Sequence, residues 1–182
     1  LTLLVCAAIL LAPAVSAQGP EAPAGCEWQP IPELKANLAL PVGWEFERIS
    51  DEDPLIYEVR PAGEAFEVPP RARYRLIVER NGDPAAVVGA ARDYVEEVRT
   101  KGVAPADLEE GSIGVISLFA SVVFISNTET GEHESTVAVS ALANSRTGTL
   151  YKTRLEIPVG ELEAVAPLAN QLFQTLRTDD EI

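Results

Sequence analysis

The order of patterns along the chain predicts an α+β fold, an antiparallel sheet with helices packed on it. Three observations carry this. The stretches 71–80, 136–144 and 149–157 alternate apolar and polar residues, with the period of two that a half-buried strand requires. A well-punctuated helical segment at 84–101 separates the early strands from the later ones, and a second helical stripe closes the chain at 162–176. The order strands, helix, strands, helix leaves little room for parallel βαβ units, which disfavours a doubly wound nucleotide fold.

Residues 1–17 precede the fold. The run 1–11 is apolar almost throughout, and Val15-Ser16-Ala17 supplies a small-residue cleavage pattern. This reads as a secretory signal peptide, with cleavage expected after Ala17. The run is short for a membrane span. Cys6 leaves with it, so Cys26 is the single thiol of the mature chain and no intramolecular disulfide is expected. Residues 18–27 have the Pro, Ala, Gly and Glu content of a linker. Pro23-Ala24-Gly25-Cys26 carries the small residues of a lipidation site but lacks the Leu three positions before Cys. Cys26 is therefore either a lipidated N-terminus or a lone Cys at the domain start. Membrane association is expected only in the first case. A single domain is expected over 28–178, with an acidic tail at 179–182.

Within that domain, 34–40 is a first strand candidate, and Pro41-Val42-Gly43 is a turn. Residues 44–48 leave the turn with Trp44, Phe46 and Arg48 on one face. Asp51-Glu52-Asp53-Pro54 is a loop, 55–60 a further strand and 61–70 loop again. In 71–80, Ala72, Tyr74, Leu76 and Val78 share one face, and Arg71, Arg73, Arg75 and Glu79 the other. Asp83 is placed to cap the next helix, with Pro84 at its first position, where the missing N–H is not needed. Val87, Ala91, Tyr94, Val95 and Val98 form its apolar stripe, and Gly102 is expected to end it. Residues 113–125 are apolar and β-branched, as a strand buried on both faces would be. The polar turn 127–134, the strand 136–144, the turn Ser145-Arg146-Thr147-Gly148 and the strand 149–157 complete an antiparallel meander. Leu162, Val165, Ala169, Leu172, Phe173 and Leu176 share a helical face, which Pro167 either kinks or starts.

Composition excludes several functions. With 182 residues, a hydrophobic content of 47% and 2 Cys, the chain is neither disordered nor a disulfide scaffold. A formal net charge of −14 disfavours binding to nucleic acid or anionic lipid, since both repel it. No nucleophile elbow, phosphate loop, Cys-x-x-Cys or His-Glu-x-x-His pattern occurs. The single His133 reads as a solvated turn residue, because a zinc site takes more His or Cys. Asp51-Glu52-Asp53 has hard oxygens suited to calcium, but lacks the alternating Asp loop of a dedicated site. It reads as a solvated acidic loop, as does Asp179-Asp180-Glu181. No catalytic residue, metal site or cofactor is expected.

The basic residues are the stronger signal. Arg71, Arg73 and Arg75 share one strand face, and Lys152 and Arg154 another. If the strands are neighbours, these residues form a cationic cluster in an acidic protein. Arg matches planar carboxylate or phosphate groups. The other reading is a solvated face, in which they pair with Glu79 and Glu156 across the sheet.

Ala39-Leu40-Pro41-Val42-Gly43-Trp44 resembles the opening Pro-x-Gly-Trp of PsbP-like proteins and their DcrB-like bacterial relatives. The mid-chain helix, the meander ending Gly148-Thr149-Leu150-Tyr151, Pro158 and the terminal helix are similarly placed, so the resemblance covers about residues 34–177. It implies an α/β/α sandwich around an antiparallel sheet. It also implies accessory roles: photosystem assembly in lumenal members and envelope lipoproteins in bacterial ones. A sheet covered on both faces conflicts with a basic strand face, unless one face is only partly covered or the arginines lie at the sheet ends. The expectation is an exported, non-catalytic binding or assembly protein, periplasmic or secreted, that recognises an envelope or secreted protein partner through sheet-edge and loop surfaces. The alternative is a small-molecule or calcium carrier of the cell envelope.

Overall fold

The computed structural model describes residues 21–31, 36–50, 52–63, 71–80, 82–127, 129–165 and 177–178. The expected signal segment 1–17, Pro167 and the acidic tail 179–182 lie outside them, as does the part of the expected second helix after residue 165. The chain divides into two compact units, one of residues 1–43 with 166–182 and one of residues 44–165.

In the first unit, β1 (Cys26–Ile31) pairs antiparallel with β2 (Ala36–Pro41), placing Cys26 opposite Pro41 and Trp28 opposite Ala39. The short β10 (Arg177–Thr178) pairs with the other side of β2. Ile31, Leu38, Ala39 and Leu40 are buried. β1 is not signalled by its residues, because Glu27 to Pro30 lacks clear alternation and Pro30 argues against a strand. The order β1-β2-β10 makes β1 an edge, where a residue without an N–H is tolerated.

The second unit is a seven-stranded antiparallel sheet, ordered β3-β4-β5-β9-β8-β7-β6. Its strands are β3 (Trp44–Ser50), β4 (Leu55–Pro61), β5 (Arg73–Glu79), β6 (Glu109–Ile113), β7 (Ile116–Ser126), β8 (His133–Asn144) and β9 (Thr149–Pro158). α1 (Val87–Arg99) lies against β7, β8 and β9. The fold is α+β, as the element order predicts. The expected meander is present, but the apolar run 113–125 divides. Gly114 adopts φ +57° and turns the chain between β6 and β7. Nor is β7 buried on both faces. Phe119, Ser121 and Val123 are buried, while Leu118, Ala120, Val122 and Phe124 on the other face are only half-buried.

Each face of the sheet has its own core. Val87, Ala91, Val95 and Val98 of α1 pack on Phe119, Val123, Val137, Val139, Ala141, Ala143 and Leu150. On the opposite face Tyr57, Leu76 and Thr153 lie in one cross-strand row with Ser140, all buried. Ser140 and Thr153 share a hydroxyl hydrogen bond of 2.6 Å, which satisfies polar groups that burial would otherwise penalise. Tyr74 is fully buried on this face. Burial pushes its phenol well above the ordinary value of 10.0, and the nearby Thr153 hydroxyl opposes the shift.

The ends of α1 differ from the sequence expectation. Asp83 does bind a free amide, accepting from the Ala85 N–H at 2.9 Å, but its carbonyl accepts from the Ala86 and Val87 amides. This makes residues 84–86 a turn, and the helix starts at Val87 rather than Pro84. Gly102 follows the helix without a positive φ, so it is not the left-handed stop expected of it. Its requirement is space: a Cβ there would lie 2.3 Å from the Phe124 carbonyl oxygen. Val103 and Phe124 exchange two backbone hydrogen bonds of 2.9 Å at this crossing.

A second close approach joins the β8–β9 turn to the segment before α1. The Gly82 amide donates to the Gly148 carbonyl at 3.1 Å. Gly148 has φ +69°, and a Cβ on it would stand 2.0 Å from the Gly82 oxygen. Gly148→Ala combines a clash with left-handed strain, so urea unfolding is expected to show a loss of about 2 kcal/mol or more. Gly111→Ala meets no atom within 4 Å and is expected to change stability by under about 0.5 kcal/mol. Equal effects would remove this account of the crossing.

Tyr74 makes a pH prediction. Its folded pKa is raised, so above about pH 10 the unfolded chain releases a proton that the native state retains. Stability contributed below pH 10 is then lost as pH rises, with a slope approaching ~1.4 kcal/mol per pH unit. Tyr74→Phe is expected to flatten the alkaline limb of the stability–pH curve; an unchanged slope would contradict it.

Candidate functional site

β5 and β9 are neighbours, and their register decides what the basic residues form. Arg73 stands opposite Glu156, Arg75 opposite Arg154 and Ile77 opposite Lys152. Residues directly opposite across a ladder share a face, so Arg73, Arg75, Lys152 and Arg154 come together. This is also the face on which α1 lies. Arg154 is paired with Val139 and Lys152 with Ala141, both in the core beneath the helix. The face changes from apolar to charged along β9, from Leu150 in the core under the helix to Lys152, Arg154 and Glu156 at its margin. α1 covers one half of the face, and Arg73, Arg75 and Glu156 on the other half are exposed. This resolves the conflict between a covered sheet and a basic strand face.

Arg71 belongs elsewhere. It precedes β5, and both its amide and its guanidinium Nε donate to the carboxylate of Glu161, the latter at 3.1 Å. Glu161 is only 7% exposed, and its charge is met by two donors from one residue. Glu161 also begins the helical turn at 162–165, accepting from the Ala164 and Val165 amides at 3.1 Å. Arg71 therefore ties the entry of β5 to that turn.

The remaining cations are interleaved with carboxylates. Lys152 pairs with Glu79 across the β5–β9 ladder. Arg154 pairs with Glu156 of its own strand at 3.2 Å, and Arg75 with Glu58 of β4 at 3.4 Å. Arg60 of β4 reaches Glu47 of β3 at 3.5 Å. Pairing across the sheet was expected for both Glu79 and Glu156; Glu79 does so, but Glu156 pairs along β9 with Arg154, and the contributions of β3 and β4 were not legible in the sequence. Alternation in β4 places Glu58 and Arg60 opposite the buried Leu55, Tyr57 and Val59, and that is the signal that would have found them.

Tyr94 of α1 borders the charged half. The Lys152 ammonium lies 5.2 Å from the centre of its ring, a cation–π distance. Burial raises the Tyr94 phenol, while the positive charge of Arg154 and, more weakly, of Arg75 pulls it down; Glu97 raises it. The lysine stem lies along the edge of the core with its charge toward the carboxylates, the usual compromise for a long cationic side chain.

The other residues weighed from sequence have local partners. The His133 Nε2 lies 2.9 Å from the Ser135 carbonyl and 3.3 Å from the Thr136 hydroxyl, and its ring meets Phe124 edge-on at 5.5 Å. The Asp53 carboxylate accepts from the Arg80 amide at 3.3 Å, while Asp51 lies outside the described residues. Cys26 is half-buried in β1, and burial raises its thiol pKa. A hollow of 280 Å³ at the β6–β7 end is lined by Glu110, Gly111, Ser112, Ser117 and Phe119. Among the described residues no three His, Cys, Asp or Glu side chains group as metal ligands would, and no helix is long and apolar enough to cross a membrane.

The sequence matches no protein-family model and no curated protein sequence. Solved structures define the class: the fold is PsbP-like. Cyanobacterial PsbP (CyanoP) of Synechocystis sp. PCC 6803 superposes with a TM-score of 0.54 at 13% identity, covering 92% of this chain and 99% of that one. The Ran-binding protein Mog1p of Saccharomyces cerevisiae gives a TM-score of 0.50 at 9% identity, covering 84% of this chain and 95% of its own. A protein of Bacteroides thetaiotaomicron has a TM-score of 0.45 at 12% identity; 79% of this chain spans 45% of its length. At these identities the likeness is one of fold.

The half-buried Lys152–Glu79 pair with its aromatic neighbour is expected to outweigh a surface pair. Lys152→Ala should cost about 1 kcal/mol in chemical unfolding. Arg92→Ala breaks the exposed 2.7 Å pair with Glu110 and should cost under about 0.5 kcal/mol. The reverse ranking would show that Tyr94 and burial add nothing at Lys152.

Proposed function

We propose that this chain is an exported, non-catalytic binding or assembly protein of the PsbP-like kind. It works in the bacterial envelope or outside the cell by recognising a protein partner. The observation that carries the reading is the half-covered sheet face, where Arg73, Arg75, Lys152 and Arg154 stand in a fixed lattice with Glu58, Glu79 and Glu156. Side chains held on adjacent strands give a stiff array of donors and acceptors. Such an array recognises a complementary protein surface at little ordering cost. A mixed-charge lattice suits another protein better than a polyanion, which the net charge of −14 repels. The likeness in fold to a Ran-binding protein supports a recognition role for this architecture.

The test is affinity capture of the tagged mature chain after crosslinking in its native envelope. The comparison is a variant with Arg73, Arg75 and Arg154 all changed to Glu and a circular dichroism spectrum matching the unmodified protein. A stoichiometric partner held by the unmodified chain and lost from the variant is expected. No stoichiometric partner in either sample would overturn the reading, and a carrier role would then be tested by thermal shift with small ligands.

A further inference from the structure

We propose that Arg75 and Arg154 form a docking site for a single carboxylate, the Asp or Glu side chain of a protein partner, whose aliphatic neighbour rests on Ile56 and Ile77. This deepens the protein-recognition reading and rests on it. The starting point is an unfavourable feature of the sheet. Arg75 and Arg154 occupy directly opposed positions on β5 and β9, and like charges at such positions repel. Each guanidinium reaches a carboxylate of the protein through Nη2, Arg75 to Glu58 on the β4 side and Arg154 to Glu156 along β9. A guanidinium has five N–H donors in a planar fork, so both retain donors for a further acceptor.

The side chains are accessible, at 48% for Arg75 and 38% for Arg154. Both lend positive charge to the Tyr94 phenol, so the two fields overlap at the margin of the helix. A carboxylate entering there gains from both guanidiniums and relieves their mutual repulsion, whereas a neutral group gains neither.

The adjacent row identifies the source of the carboxylate. Ile56 and Ile77 are directly opposed on β4 and β5, half-buried, on the same face and one row from Arg75. An apolar step beside a paired-guanidinium position fits a peptide segment in which an acidic residue neighbours an aliphatic one. A free anion would leave the apolar row unused. Glu58, Glu79 and Glu156 border the site and disfavour more than one negative charge, which sets the requirement at one carboxylate.

The probe is a library of randomised linear peptides displayed on phage, selected against the full chain. The enriched sequences are then measured as free peptides by fluorescence anisotropy. Enriched peptides are expected to share an Asp or Glu beside a Leu, Ile or Val. Replacing that acid by its amide should weaken binding by roughly tenfold or more, as should Arg75→Gln or Arg154→Gln. Arg92→Gln, whose guanidinium pairs with Glu110 of the edge strand β6, should leave affinity unchanged. Circular dichroism of each variant separates misfolding from lost contact, and an Arg154→Glu protein should regain affinity for a peptide whose acid is changed to Lys. Peptides without a shared acid, peptides insensitive to both arginine variants, or no enrichment at all would each overturn the site. The wider reading is judged separately, since an envelope partner captured equally well by Arg75→Gln and Arg154→Gln chains would leave protein recognition standing and remove only this site.

Discussion

Thr153 of β9 lies between Leu76 of β5 and Ser140 of β8, and its hydroxyl bonds the Ser140 hydroxyl inside an otherwise apolar layer. That register is the constraint on which the second unit depends. Because strand side chains alternate, holding Thr153 inward holds Tyr151, Leu155 and Ile157 inward with it and turns Lys152, Arg154 and Glu156 outward. A slip of one residue would bury two cations and expose the core row, so the pairing tolerates no neighbouring alternative. The central strand thereby sets both the core and the charged face in one step.

The uneven cover of the second face follows from the length and placement of α1. A helix spanning Val87 to Arg99 can shield about as many strands as its side chains reach, and it lies over β7, β8 and β9. Beneath it the strands carry Val137, Val139, Ala141 and Phe119. Past its edge they carry ionic side chains. The Gly82–Gly148 contact and the Gly102–Phe124 approach fix the two ends of the segment that carries the helix, and each has room for no side chain. The border between dry core and ionic lattice is therefore held by backbone contacts. Tyr94 and Lys152 meet at it.

Exposed ion pairs of this kind contribute little to folding. Their regular spacing on adjacent strands instead gives a surface of defined charge pattern, and the opposed Arg75 and Arg154 are a local cost that the fold retains. PsbP and Mog1p share the architecture at about a tenth of sequence identity, so the likeness is one of fold.

The α+β order, the meander, the buried row Tyr74, Leu76 and Val78, and the stripe of α1 were legible from the residues, because local periodicity records which side of an element avoids water. The same periodicity marked Arg73, Arg75, Lys152 and Arg154 as lying on strand faces. Short or irregular pieces were not legible: β1 has no alternation and contains Pro30, and the β6–β7 turn is hidden in an apolar run broken only at Gly114. Tertiary structure alone decided that β5 and β9 adjoin, that Arg75 faces Arg154, that Arg71 instead joins Glu161, and that α1 stops short of the charged half. The physical reason is that strand pairing and helix placement are settled between residues far apart in the chain, through register and packing, and no local pattern carries the identity of a distant partner.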